Sequence, residues 1–143
     1  MASSNFTNLP RALSLGEIVF GTNTFKVLLV SSIPSEANLD AWANRSDVTN
    51  EITGTGYTAG GIAQAVTLAG TTDTTNNNQH VTWTNIVNGW TTATFSAVGA
   101  IIYKNSGTSS TDRLLHFLDF GGTVSCTAGN FSITYSADFT INR

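Results

Sequence analysis

The sequence predicts a mainly β fold: an antiparallel two-sheet β-sandwich of jelly-roll type, with a short N-terminal helix or arm and one short helix near residues 36–43. Three observations lead there. From residue 62 onward, short runs rich in Val, Ile, Thr and aromatics alternate with turn residues at the spacing of a sandwich or barrel. Charged residues make up only 10% of the chain, and Thr, Ser, Asn and Gly fill the gap, which suits sheets and broad hydrogen-bonded contacts. The connection from Ile33 to Gly61 is too long for a simple meander. At 143 residues and 15.1 kDa the chain is expected to form one domain, residues 1–143, with 1–15 as a helical turn or an extended arm.

The elements follow in order. Near Thr7 or Asn8 a helix of one or two turns would place Pro10 in its first turn, where the missing N–H costs nothing, and would put Leu9 and Leu13 on one face. After a turn at Gly21-Thr22-Asn23, Phe25, Val27 and Leu29 alternate with Lys26 before the run becomes wholly apolar, as in a strand that starts half-exposed and ends central. Ser35 is a plausible N-cap for the helix over Glu36–Ala43, in which Leu39, Trp42 and Ala43 share a face, so Trp42 reads as core or lid.

Beyond residue 61 the expected strands are Ile62–Thr71, His80–Asn85, Trp90–Phe95 and Ala97–Lys104, the last the most apolar and so the sheet centre. Asn76-Asn77-Asn78 reads as a turn and Asn88-Gly89 as a hairpin. Asn105 to Asp112 reads as a flexible loop, and Leu114–Phe120 as a strand with Leu115, Phe117 and Asp119 on one face. Turns at Gly121-Gly122 and Ala128-Gly129-Asn130 frame Thr123–Thr127 and Phe131–Tyr135, and Asp138–Asn142 closes the chain.

The stretch Asn50-Glu51-Ile52-Thr53-Gly54-Thr55-Gly56-Tyr57-Thr58-Ala59-Gly60-Gly61 separates the mixed first third from the β-rich remainder. Gly54-x-Gly56-x-x-Ala59 formally fits a dinucleotide fingerprint, which needs a buried apolar strand before it and a helix after it. Here polar residues precede the glycines and a β-branched run follows; no Lys is placed as in a phosphate loop. A structural loop is the better reading, with Glu51 and Tyr57 anchoring it by hydrogen bonding and ring packing.

The composition excludes several classes. Net charge is −3 and the six Lys and Arg are scattered, so a nucleic-acid surface is not expected. No apolar run approaches the ~20 residues of a membrane helix, and the N-terminus lacks the regions of a signal peptide, so cytoplasmic synthesis is expected. Cys126, the single cysteine, sits in a strand-like context and reads as a small buried thiol.

An enzyme would have to draw on His80, His116, Cys126, Asp119 or Glu51, and these show neither metal-ligand spacing nor a nucleophile signature. His116 reads as solvent-facing, and no enzymatic activity, metal or cofactor is expected. A sugar-binding module is the rival class, since Trp42, Trp83 and Trp90 could stack sugars. Trp83 alternates with Val81 and reads as core, which leaves Trp90 as the most exposable. Three formal Asn-x-Ser/Thr acceptors, at Asn5, Asn44 and Asn130, are coincidence in so Thr/Ser/Asn-rich a chain.

The glycine stretch resembles a signature of small virion proteins of tailed bacteriophages, N-E-[IV]-[ST]-G-T-G-Y-[TA]-A-G-G. The resemblance continues in order through Phe25–Val30, Val81-Thr82-Trp83, Val98–Lys104, Phe117–Gly122 and Gly129–Tyr135. It implies a virion structural protein on the outer capsid surface: a head cement or decoration protein that bridges major capsid protein subunits, with no catalytic residues to carry over. A tail-associated or receptor-binding virion module is the alternative. The expected partners are the major capsid protein and copies of the chain itself, with no nucleic acid and no membrane. Candidate contact or loop-structuring residues are Phe6, Leu9 and Leu13 in the arm and Glu51, Gly54, Gly56, Tyr57, Gly60 and Gly61 in the loop. The Asn105 to Asp112 loop is a further contact element.

Overall fold

The computed structural model describes residues 2–68, 78–135 and 139–142, which form two antiparallel sheets and two short helices. The strands are β1 (Ser4–Asn5), β2 (Phe25–Val30), β3 (Ile62–Gln64), β4 (Val66–Leu68), β5 (Asn78–Trp83), β6 (Ile86–Lys104), β7 (Leu114–Ile133) and β8 (Phe139–Asn142). The helices are α1 (Leu9–Ser14) and α2 (Glu36–Ala41). The larger sheet runs β1-β7-β6-β2-β3 and the smaller β4-β5-β8. The mainly β, two-sheet antiparallel expectation is met. The jelly-roll label asks for more than this strand order supplies.

The apolar run of β2 is explained by burial on both faces. Phe25, Val27 and Leu29 join the core shared with Val81 and Trp83 of the smaller sheet. Leu28 and Val30 point the other way, into a second core with Phe6, Leu39, Ile101, Tyr103, Leu114 and Phe117. Strand β6 lies between β7 and β2, so its apolar end is central as its composition predicts.

One strand expected over Ile62–Thr71 is two, because the chain crosses between sheets at Ala65. At the crossing Ala65 O accepts from Thr84 N at 3.1 Å, and buried Gln64 adds a side-chain donor to the carbonyls there. Its Nε2 donates to Ala65 O (2.8 Å) and Thr84 O (2.9 Å), while the Tyr135 hydroxyl donates to its Oε1. The expected Asn76–Asn78 turn lies outside the described residues except for Asn78, which opens β5.

The turns expected at Asn88-Gly89, Gly121-Gly122 and Ala128–Asn130 are not strand ends. All three lie inside β6 and β7, which pair as one long hairpin from Ile86↔Ile133 to Tyr103↔Leu114. The pairing slips between Ile86 and Trp90, between Trp90 and Ala93, between Ala93 and Phe95, and between Ala97 and Gly99. Asn88, Thr92, Ala128 and Gly121 take positive φ at these slips. A bulge and a tight turn need the same positive φ, so local sequence does not distinguish them. A further slip between Ile102 and Tyr103 reverses the side-chain phase of β7. Leu115 therefore enters the first core and Phe117 the second, instead of sharing a face.

The N-terminal segment is a folded part of the body and not an extended arm. Ser4 and Asn5 pair with Phe117 and His116, and Phe6 N donates to Leu115 O at 3.1 Å. Phe6 and Leu9 are 1% and 2% exposed, and Leu13 packs against the first core. As contact candidates Phe6 and Leu9 are corrected: their rings and methyls are spent inside this chain. Pro10 does stand in the first turn of α1, and the Ser35 hydroxyl caps α2 by accepting from Asn38 N at 3.2 Å.

Phe6→Ala is expected to destabilise the protein by about 3–5 kcal/mol through loss of buried ring contacts. Chemical denaturation measures it; a change within about 0.5 kcal/mol, as for a surface substitution, would mean the segment does not belong to the core.

Candidate functional site

Strand β3 covers only Phe25 to Val27 of the outer edge of β2. Farther along, Ser31 N donates to Asn50 O (2.9 Å), Ile52 N donates to Leu29 O (3.0 Å), and Glu51 bridges Val30. Residues 53–61 are an excursion between these two stretches of edge pairing. They leave β2 at Ile52 and return opposite Val27 at Ile62. The excursion leaves the Leu29 N–H to be satisfied by a side chain, and the Tyr57 hydroxyl accepts it at 3.1 Å.

Tyr57 in turn donates to Glu51 Oε1 at 2.7 Å, and the same oxygen accepts from Gly60 N at 2.5 Å. The loop is thus closed on itself by one carboxylate and tied to the central sheet by one phenol, the anchoring its sequence predicts. The Tyr57 ring stacks on Trp90 (centroids 6.3 Å apart) and meets Phe95 edge-on at 5.8 Å. Burial pushes the Tyr57 pKa up, and the hydrogen bond to Glu51 adds to this despite the opposing Leu29 N–H. The phenol therefore stays a donor throughout the ordinary pH range.

Two glycines let the backbone approach its neighbours. A Cβ on Gly61, which has φ 67°, would lie 1.8 Å from Val27 O, so no side chain fits between the returning strand and β2. A Cβ on Gly54 would lie 2.6 Å from Thr94 O, where Thr94 N donates to Thr55 O across the loop. Gly56 passes over Ala93, and Gly60 sits beneath Tyr103 and Arg45.

A second network holds the neighbouring loop. The Tyr103 hydroxyl donates to Gly60 O at 2.6 Å, and the Arg45 guanidinium lies 5.6 Å from the Tyr103 ring centroid. Arg45 Nε pairs with Asp112 Oδ2 at 3.0 Å. Burial works against the Arg45 charge, but the hydrogen bond to Asp112 together with the fields of Tyr103, Asp112 and Glu51 outweighs it and raises its pKa. Asp112 is 1% exposed and also accepts from Ser106 N (2.6 Å) and Ser106 Oγ (2.8 Å). The 105–112 loop, expected to be flexible, is instead organised around this buried carboxylate. Arg113 is pinned nearby between Glu17 (Nε to Oε2, 2.7 Å) and Asn44 Oδ1 (2.8 Å).

All six loop candidates, Glu51, Gly54, Gly56, Tyr57, Gly60 and Gly61, therefore converge on one architectural unit. The arm candidates lie elsewhere, in the two cores. Sequence reasoning missed Arg45, Tyr103 and Asp112. Only the charge of Asp112 in an otherwise neutral Ser/Thr/Gly loop hinted at a buried partner. What the unit does chemically is hold: Thr53, Thr55, Thr58 and Ala59 stay exposed on a backbone locked from beneath.

The remaining candidates are dispersed. Trp90 is 3% exposed and packs edge-on against Phe131, so the stacking platform read there is a core residue. Trp83 is core, as its alternation predicts, and Trp42 is half-buried against the second core. His116 is half-buried instead of fully solvent-facing: β1 pairs alongside it, Asn5 Oδ1 lies 2.7 Å from its Nδ1, and burial lowers its pKa to about 4. Cys126 is half-buried in β7, and no side chain of His80 is described. Among the described residues no group of three or more His, Cys, Asp or Glu could hold a metal ion, and no helix is long and apolar enough to cross a membrane.

Comparison with protein-family models, with curated proteins and with solved structures finds no match.

Tyr57→Phe removes the acceptor for Leu29 N–H and the donor to Glu51; an expected loss of about 1–3 kcal/mol follows from burying unsatisfied groups. Thermal and denaturant unfolding would register it, and a neutral result would mean that water replaces the phenol. For His116 the sign follows from its depressed folded value. Below about pH 6.5 the unfolded chain takes up a proton that the folded chain refuses, so stability falls as pH drops toward 4. The expected loss is about 2 kcal/mol after allowing for partial exposure. The measurement is the difference between wild-type and His116→Gln stability profiles over that window; parallel profiles would refute it.

Proposed function

We propose that this chain is a structural protein of a tailed-bacteriophage virion, and within that class a cement protein that bridges and stabilises major capsid protein subunits on the outer surface of the expanded head. The observation that carries the proposal is the glycine signature, by which the chain resembles such virion proteins. It builds a rigid, outward-facing loop of uncharged residues, held by Tyr57, Glu51 and the backbone of β2. A cement protein acts by burying surface across subunit boundaries, so it stabilises the assembled state by mass action and needs preordered contact elements.

The contact elements are the loop over 53–59 and the loop over 106–111, which Arg45 links through Tyr103 and Asp112. Their exposed side chains are chiefly hydroxyls, suited to hydrogen bonding across a broad protein surface. Phe6 and Leu9, buried in the two cores, take no part. The rival sugar-binding reading loses its leading platform with the burial of Trp90.

Purified protein is expected to co-sediment saturably with expanded capsids lacking it and to raise their heat resistance, but not with unexpanded shells or isolated tails. Thr55→Glu with Thr58→Glu, both at exposed positions, is expected to weaken that binding about tenfold or more without changing the unfolding midpoint. Binding to tails alone, or to neither particle, would overturn the capsid reading.

A further inference from the structure

The Asn88-Gly89 pair, which local sequence reads as a hairpin turn, lies inside β6 at a break in its pairing with β7. Between Ile86↔Ile133 and Trp90↔Phe131, three residues of β6, Val87, Asn88 and Gly89, stand opposite one of β7, Ser132. Asn88 takes φ 51°, and its main-chain N–H donates to the Ser132 hydroxyl at 2.8 Å. Val87 is 77% exposed, and Asn88 is exposed beside it. The bulge therefore stands in water, and at Asn88 a side chain replaces the ladder.

Each residue of the pair answers to the fold. The left-handed φ at position 88 favours Asn among residues that carry a side chain. A Cβ at Gly89 would overlap Ile86 Cγ2 and lie 2.6 Å from Ile62 Cδ1, so the packing of these two side chains keeps position 89 a glycine. The dipeptide that results is chemically reactive. The main-chain nitrogen after an asparagine can attack its side-chain amide, and a glycine there has no side chain to hinder the approach. Asn88-Gly89 is the one Asn-Gly pair in the sequence.

We propose that Asn88 is a site of spontaneous deamidation in the folded protein. The Gly89 nitrogen bonds to Asn88 Cγ, the Cγ–Nδ2 bond breaks, and ammonia leaves with the proton displaced from Gly89. Water then opens the succinimide. Breaking the new bond at Cγ gives aspartate, and breaking the original bond at the main-chain carbonyl gives isoaspartate. Water is the only other reactant. The attack requires the main chain to rotate at Asn88, and residues 87–89 have no register partner on β7 that must first be given up. The product carries one negative charge beyond the −3 of the chain, in a region where residues 86–102 and 120–135 contain no Asp, Glu, Lys, Arg or His. Isoaspartate also adds a methylene to a main chain that already holds two residues more than the strand opposite. The proposal does not rest on the virion reading, because its test needs the protein alone.

The test is peptide mapping by mass spectrometry of the purified protein held at mildly alkaline pH, folded and in urea, with isoaspartate at position 88 read directly. Asn88 is expected to convert ahead of every other asparagine, and in the folded protein at a rate within about tenfold of that in urea. An acidic species is expected to accumulate on ion exchange in step with the conversion and to be absent from Asn88→Gln. A folded rate lower than this, a different asparagine converting first, or an acidic species that persists in Asn88→Gln would each overturn the proposal.

Discussion

The outer edge of β2 is the constraint on which the rest depends. β2 is buried on both faces, with Val27 to Val30 at zero exposure, so its backbone has no access to water as a substitute partner. Three devices divide that edge: β3 along Phe25 to Val27, the Asn50–Ile52 segment along Leu29 to Ser31, and the Tyr57 phenol at Leu29 N–H. The excursion of residues 53–61 exists because those two stretches of pairing are continuous in space but not in sequence. Its glycines follow from the closeness of the return, since Gly61 passes where any Cβ would enter Val27 O.

The β6–β7 hairpin solves a second problem, that of wrapping long strands around a small core. A straight ribbon of this length would run past the smaller sheet. Bulges increase local twist and bend, and here they let Trp90, Phe95 and Phe131 of the outer half contact one another and Tyr57. The inward side of β6 supplies aromatic and small apolar groups to the first core, and its outward side is mostly hydroxyl-bearing. The same ribbon thereby fixes the glycine loop from below and leaves an uncharged surface around it.

Charge is used sparingly and locally. Arg45–Asp112 and Arg113–Glu17 stand at the closed end of the hairpin, joining residues far apart in sequence, while β6 carries no ionisable charge before Lys104. Partly buried pairs of this kind specify geometry more than they add net stability, because desolvation offsets much of their attraction. They order the two loops proposed to meet a capsid.

By itself the sequence determined the fold class, the central place of Ala97–Lys104, the central position of the apolar end of β2 and the structural role of Glu51 and Tyr57. Each of these rests on a local pattern: continuous apolarity, β-branching, or a glycine run with a carboxylate and a phenol inside it. What only the tertiary structure decided was continuity and partnership. Asn88-Gly89, Gly121-Gly122 and Ala128-Gly129-Asn130 have the backbone freedom of turns, and whether that freedom ends a strand or bends it depends on the strand alongside. Phe6 and Trp90 lie next to polar residues and look exposable, until β7 and the Tyr57 loop close over them. Arg45, Tyr103 and Asp112 meet only because loops distant in the chain converge. Periodicity records which side of an element is apolar; it carries no information about what arrives to cover it.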